Sequence, residues 1–445
     1  MQIKLPEKVK FIIETIQAAG FDAYAVGGCI RDSILGRVPD DWDITTSAAP
    51  MQVKALFKRT IDTGIQHGTV TVMLDKEGFE VTTYRIDGEY EDGRHPKDVQ
   101  FTDNLTEDLK RRDFTINAMA YNDKRGLVDV FGGISDLEKK VIRCVGDPKE
   151  RFTEDALRMM RAVRFSAQLG YTIEENTKQA IGELAPTLNR ISAERIQVEL
   201  IKLMVSPHPD YLRVAYETGI TKVILPEFDA AMDTPQNHPH HCYNVGEHTL
   251  HTLLETPADK VLRLSALLHD IAKPKMLTTD EKGINHFHGH APEGEKMSKE
   301  ILRRLRMDND TINHVSRLVL YHDYGNGVEP NARIVRRAIN KIGEDIFPLL
   351  LQIRKADIMA QSDYKREEKL QNLESWKQHY EEIIKAGECV SLKTLAVTGK
   401  DLIAAGIAPG KQLGDILNAL LEEVLEDPEK NTRDYLINRA LMCRK

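Results

Sequence analysis

The chain has 445 residues, with 61 Lys and Arg against 69 Asp and Glu, a formal net charge of −8 and a pI near 6.0. That length exceeds one ordinary core and predicts about two to four domains, while the acidic balance excludes a protein that coats nucleic acid indiscriminately and confines any such contact to a basic patch. Five dispersed cysteines without a CxxC pair argue against a disulfide framework or a cysteine zinc site, and no long apolar run or secretory segment stands out, so a non-exported protein of the reducing cytoplasm, without a membrane partner, is expected.

Val9, Phe11, Ile12 and Ile16 predict a helix over 7–19, and Phe21–Val26 predicts a strand that enters the pair Gly27-Gly28. A strand over Asp41–Thr46 follows, then a helix start signalled by Ser47 and Pro50. Thr69–Leu74 and Glu80–Ile86 predict a hairpin around Lys76-Glu77-Gly78. The polar stretch 87–108 predicts a mobile loop, and after about residue 146 strand signals almost vanish in favour of amphipathic helices punctuated by proline. The expected fold is α+β. A small mixed α/β head over 1–145 precedes a helical neck over 146–225, a helical body over 226–370 and a helical tail of mixed charge over 371–445.

Adjacent glycines after a strand let a phosphate approach backbone N–H groups, and Arg31 adds a guanidinium suited to a triphosphate, although a glycine pair alone also fits a plain tight turn. Asp41 and Asp43, at i and i+2 of a strand, project to one face as a clamp for hard divalent ions of the two-metal type. Glu80 is either a third carboxylate of that clamp or a solvated strand end.

These residues resemble the class II tRNA nucleotidyltransferases, a family of CCA-adding enzymes and bacterial poly(A) polymerases within the DNA polymerase beta nucleotidyltransferase superfamily. Its GG-x-x-R-D and D-x-D signatures match Gly27 to Asp32 and Asp41 to Asp43, and its RRDFTxNA motif matches Arg111 to Ala118. Asp129-Val-Phe-Gly132-Gly133 is close to its DPFGG turn, with Val130 in place of proline. The resemblance implies a polymerase-beta-like head using Mg²⁺, with Arg112 on the nucleotide and Asp113 on the ribose.

Its nucleotide-selecting EDxxR segment matches Glu154-Asp155-Ala-Leu-Arg158. On a helix Asp155 and Arg158 are i, i+3 neighbours, which by itself fits an ordinary surface ion pair. Chemically the pair also complements the amino donor and ring-nitrogen acceptor shared by cytosine and adenine, an order that uracil and guanine reverse. Arg161 and Arg164 follow on the same helix as implied nucleotide contacts, or alternatively as RNA phosphate contacts, and Ser192 to Leu200 resembles a scaffolding helix of the neck.

Further on, His248, His269-Asp270 and Asp357 stand in the H…HD…D order of the HD phosphohydrolases, a ligand set suited to Mn, Fe, Ni or Mg. His290 and His322 are candidates for a second metal, among surface histidines (His238, His240, His241, His286, His288) that make overcounting easy. The combined expectation is an enzyme that adds C, C and A to the tRNA acceptor end from CTP and ATP, with an additional HD activity. The loop 87–108 is expected to reorganise when specificity passes from C to A. The alternatives are a polymerase that adds only A, and an HD phosphohydrolase whose head merely binds nucleotide.

Overall fold

The computed structural model describes residues 2–88 and 99–443, and the chain divides into two compact units, Met1–Pro226 and Glu227–Lys445. In the first unit, helix α1 (Glu7–Ala18) buries Val9, Ile12, Ile13 and Ile16, the i, i+3, i+4, i+7 stripe of a core-facing helix. Strand β1 (Ala23–Val26) leads through Gly27 into helix α2 (Gly28–Ile34). Strand β2 is only Ile44–Thr46, so Asp41 and Asp43 lie on the approach to it and not within it. The ladder ends there because Gly27, at φ +87°, turns the partner strand away, leaving one further bond from Val26 N–H to the Asp43 carbonyl at 3.0 Å.

Helix α3 (Pro50–Leu56) starts on Pro50, but its N-cap is Ala49. Ser47 instead accepts from Asp22 N–H at 2.9 Å. Strands β3 (Thr60–Gly64), β4 (Thr69–Leu74) and β5 (Glu77–Thr83) follow. The β4–β5 hairpin closes on Asp75 and Lys76, both at positive φ, one position earlier than predicted.

Strand β6 (Arg85–Asp87) leaves the main sheet and pairs with β7 (Val99–Phe101), and helix α4 (Leu105–Lys110) follows on an Asn104 cap. The expected continuous loop over 87–108 therefore contains ordered elements at its end, while residues 89–98 lie outside the described residues. Strands β8 (Met119–Asn122) and β9 (Gly126–Asp129) complete a sheet in the order β3-β4-β5-β2-β1-β8-β9, in which β2–β5 is the parallel pair. Asp129 then caps helix α5 (Gly133–Lys139) through the N–H groups of Gly133 and Ile134 at 2.7 and 2.9 Å. Val130 beside it is exposed, so the turn does not require proline.

Helices α6 (Pro148–Glu154), α7 (Leu157–Leu169), α8 (Glu175–Leu184) and α9 (Ala193–Met204) form the part of this unit beyond the sheet. The second unit is helical apart from the short pair Thr278–Thr279 and Asn285–His286. One apolar cluster centres on Ile339, Phe347, Leu350 and Trp376, and another on Leu402, Leu420, Val424 and Leu436. Among the described residues no helix is long and apolar enough to cross a membrane.

Candidate functional site

One end of the sheet gathers the carboxylates. Parallel pairing of Ile44 with Val81 sets Asp43 in register with Glu80, and both are exposed on the face opposite those two buried side chains. Protein mass beneath Asp43, then the like charges of Asp41 and Glu80, raise its carboxyl above the usual range against the pull of Arg112. A hard divalent cation would relieve that repulsion, although among the described residues the groups of three or more whose ligand atoms already converge on one point lie in the second unit and not here. Glu80 thus stands with Asp41 and Asp43 and is not a strand end.

Beside them the β1–α2 turn and the RRD run interlock. Gly27 N–H bonds the Met119 carbonyl at 3.1 Å. A Cβ on Gly27 would sit 3.1 Å from Arg112 Nη1, so the glycine admits the guanidinium. Asp108 is fully buried; its Oδ1 accepts from Arg111 at 2.8 Å and its Oδ2 from Thr45 at 3.0 Å, with Arg112 Nη2 3.6 Å away. The buried Nε of Arg112 has no protein partner among the described residues, leaving donor capacity at the glycine turn. Arg31 differs from the expected reach toward a triphosphate. It is 9% exposed, its Nε and Nη2 hold Asp32 at 2.9 and 2.8 Å, and its Nη1 donates to Asn117 at 2.8 Å. With its fork so occupied, it positions the turn.

Asp113 accepts from Phe114 N–H at 2.9 Å and Asn117 at 3.2 Å, and from Arg161 Nε at 2.7 Å. Burial pushes its carboxyl upward, but the charge and hydrogen bond of Arg161, with Arg158, hold it at about 2. Arg164 Nε lies 2.5 Å from Glu199 Oε2, and the guanidiniums of Arg164, Arg31 and Arg161 surround the Phe165 ring at 3.8, 5.1 and 5.4 Å.

Asp155 and Arg158 do not share a helix. Asp155 is extended (φ −144°, ψ 103°) between α6 and α7, its Oδ1 accepting from Leu157 N–H at 3.1 Å and its Oδ2 from Arg195 at 2.7 Å. Arg158, in the first turn of α7, donates to Glu154 at 2.6 Å and to the carbonyls of Arg151 and Arg111 at 3.2 Å each. An aspartate that caps the following turn competes with helix continuation, which is why the uninterrupted helix fails here. Sequence reasoning missed the counter-ions Asp108, Arg195 and Glu199. The first stands at i−3 and i−4 to the arginine pair, and the other two lie on the Ser192–Leu200 helix read as scaffold.

In the second unit the H…HD…D residues come together. His248 Nε2 lies 2.9 Å from Asp357 Oδ1 and 3.3 Å from His269 Nε2, which is 3.2 Å from Asp270 Oδ2. The other oxygen of Asp270 is 3.6 Å from both His290 and His322, whose Nε2 atoms are 3.2 Å apart, with Asp323 Oδ2 at 3.1 and 3.4 Å. Nδ1 of His269, His290 and His322 faces the carbonyls of Ala266, Phe287 and Val319 at 2.7, 2.8 and 2.7 Å. Those contacts place a proton on Nδ1 and turn the Nε2 atoms toward one another and the carboxylates; against its burial, Asp270 and Asp357 raise the pKa of His269 to about 9, so a cation bound at Nε2 would displace a proton. Lys273 Nζ sits 2.6 Å from Asp270 Oδ2. His238, His241 and His286, expected at the surface, instead line a cavity of about 440 Å³ over these groups.

A Poly A polymerase head domain profile matches residues 23–143, a probable RNA and SrmB-binding site of polymerase A matches 170–232, and a putative tRNA nucleotidyltransferase domain 2 matches 277–440. The chain is 36% identical over 440 residues to the CCA-adding enzyme of Lactiplantibacillus plantarum, covering 98% of this chain and 96% of the relative. It is 37% identical to that of Pediococcus pentosaceus, covering 99% and 98%. The crystal structure of the Bacillus stearothermophilus CCA-adding enzyme in complex with CTP superposes with a TM-score of 0.70 at 29% identity, covering 99% of each chain. With the carboxylate triad, the RRD run and near-full-length identity in agreement, the chain belongs to the CCA-adding enzymes, a family of nucleotidyltransferases.

Proposed function

We propose that this chain adds C, C and A to the tRNA 3′ end from CTP and ATP, with Asp41, Asp43 and Glu80 at the reacting phosphate. The register of Asp43 with Glu80 beside Asp41 carries the assignment. The family implies divalent metal use, and an all-carboxylate set on an open strand end favours Mg²⁺, which supplies charge neutralisation of the triphosphate and a lowered pKa for the attacking hydroxyl. The tRNA 3′-hydroxyl attacks the α-phosphorus, the bond to the bridging oxygen breaks, and pyrophosphate leaves. Gly27 and Gly28 let the phosphates approach the backbone, Arg112 offers the guanidinium at that turn, and Arg31 holds the turn through Asn117.

Asp113, kept ionised by Arg161, is an acceptor for a ribose hydroxyl. Asp155, fixed by Arg195, accepts from the amino group of cytosine or adenine, while Arg158 donates to the ring nitrogen on exchanging one of its carbonyl contacts; Arg164 and Glu199 steady α7 behind them. All five cysteines are free, which supports the cytoplasm as the setting. Full-length protein with tRNAs ending at the discriminator base, C or CC, each given one nucleotide, tests the assignment by product length. UMP or GMP incorporated as readily as CMP and AMP would discredit the role of Asp155.

The converging histidines support a second reading, a metal-dependent phosphohydrolase. His248, His269, Asp270 and Asp357 would hold one cation, and His290, His322 and Asp323 a second across Asp270. Mn, Fe, Ni or Mg would supply a water acidic enough to attack a phosphoester.

A further inference from the structure

Beyond the histidine–aspartate centre, a second cavity of about 650 Å³ shares His238, His241, Asp323, Asp357 and Gln361 with the first. Its lining mixes three basic residues, Arg354, Lys365 and Lys369, with four acidic ones, Asp323, Glu329, Asp357 and Glu368. Arg354 lines it from the helix that carries Asp357, and is only 4% exposed. Its Nη2 donates to the neutral Asn326 at 3.1 Å, its Nε has no hydrogen-bond partner among the described residues, and the Trp376 ring lies 5.6 Å from the guanidinium. Burial pulls its pKa down to about 10, opposed by the charges of Asp323 and Asp357.

Those two carboxylates are the ones that cations at the histidines would neutralise. With cations bound, Arg354 becomes a buried charge without a counter-ion, which an anion in the cavity would supply. Lys369, also in the lining, donates to Gln361 at 2.6 Å, and Gln361 in turn donates to both oxygens of Asp357 at 3.0 Å, so Lys369 is tied through Gln361 to the ligand set. Lys365 adds a third cation, 3.6 Å from Glu368; once Asp323 and Asp357 are neutralised, Glu329 and Glu368 are the acidic residues left in the lining against Arg354, Lys365 and Lys369.

We propose that this cavity is a subsite for a second phosphate of the substrate, received by Arg354 with Lys369 beside it. The proposal rests on the phosphohydrolase reading of the histidines. It names the substrate class as a nucleotide flanked by phosphate on both sides, either a free nucleoside bisphosphate or the last nucleotide of an RNA 3′ end.

Titration calorimetry of the full chain in Mn²⁺ tests it with uridine 3′,5′-bisphosphate, uridine 3′-monophosphate and a short U-ended RNA 3′-phosphate, bases that the nucleotidyltransfer pocket would not favour. The bisphosphate is expected to bind roughly tenfold more tightly than the monophosphate, an advantage that Arg354→Met removes and Arg354→Lys keeps in part. Unfolding midpoints verify that both variants are folded. A ratio near one in the wild type, or an unchanged ratio in Arg354→Met, overturns the subsite. Tighter binding of the RNA than of the bisphosphate identifies the chain end as the source. Release of inorganic phosphate is followed separately: its absence with the binding ratio intact sinks the hydrolase reading and leaves the anion site standing.

Discussion

At the scale of single residues, like charges held together and unlike charges buried together play different parts. Asp41, Asp43 and Glu80 repel one another in the open, so replacing any of them removes a ligand at little cost to folding. Asp43→Asn is expected to slow addition on the order of 10³-fold, about 4 kcal/mol of barrier, with an unchanged unfolding midpoint. Asp113 is the opposite case, a carboxyl depressed from 3.8 to about 2 inside the protein. A depressed carboxyl contributes stability above its unfolded pKa, lost as pH falls through the folded value. Roughly 2 kcal/mol should therefore disappear between about pH 4 and pH 2. Acid denaturation followed by circular dichroism should show this loss, and Asp113→Asn should lack it. The Asp41/Asp43 pair and the RRD run were legible because sequence-adjacent residues carry their chemistry, whereas Glu80, on a later strand, stayed open between a third carboxylate and a strand end. Asp108, Arg195 and Glu199 were not, because a counter-ion is defined by a partner that may come from any element of the fold.

At the scale of elements, the joint between α6 and α7 fixes where Asp155 and Arg158, the proposed selecting pair, stand. The resemblance to the EDxxR segment led to one helix across Glu154 to Arg164. What it could not register is the aspartate side chain accepting from Leu157 N–H and breaking the ladder. The break frees Asp155 from Arg158 and gives it to Arg195 on α9. Arg195→Gln is accordingly expected to relax base choice almost as Asp155→Asn does. UMP incorporation should rise relative to CMP by roughly tenfold in each, and the double variant should be no worse than the worse single one. Fully additive effects in single-nucleotide assays would show that Arg195 does not act through Asp155. The shortened β2 has a similar origin: strand propensity continues back to Asp41, but the partner strand turns away at Gly27.

At the scale of the whole molecule, the carboxylates at the sheet end and the histidine cluster lie in separate compact units. The order of the histidines along the chain was readable, but their convergence depends on five helices delivering them to one place, which no local pattern encodes. His269→Ala with Asp270→Ala should abolish metal-dependent phosphate release while leaving nucleotide addition intact; loss of both activities in a folded variant would contradict the division. In the proposed reaction the carboxylates and a fixed Asp155 select and join C, C and A without a template. Its most direct measurement is product length with purified protein and Mg²⁺ on tRNAs ending at the discriminator base, C and CC. Stepwise addition of C, C and then A, with U and G rejected, is the expected result; addition of A alone to every substrate would contradict it.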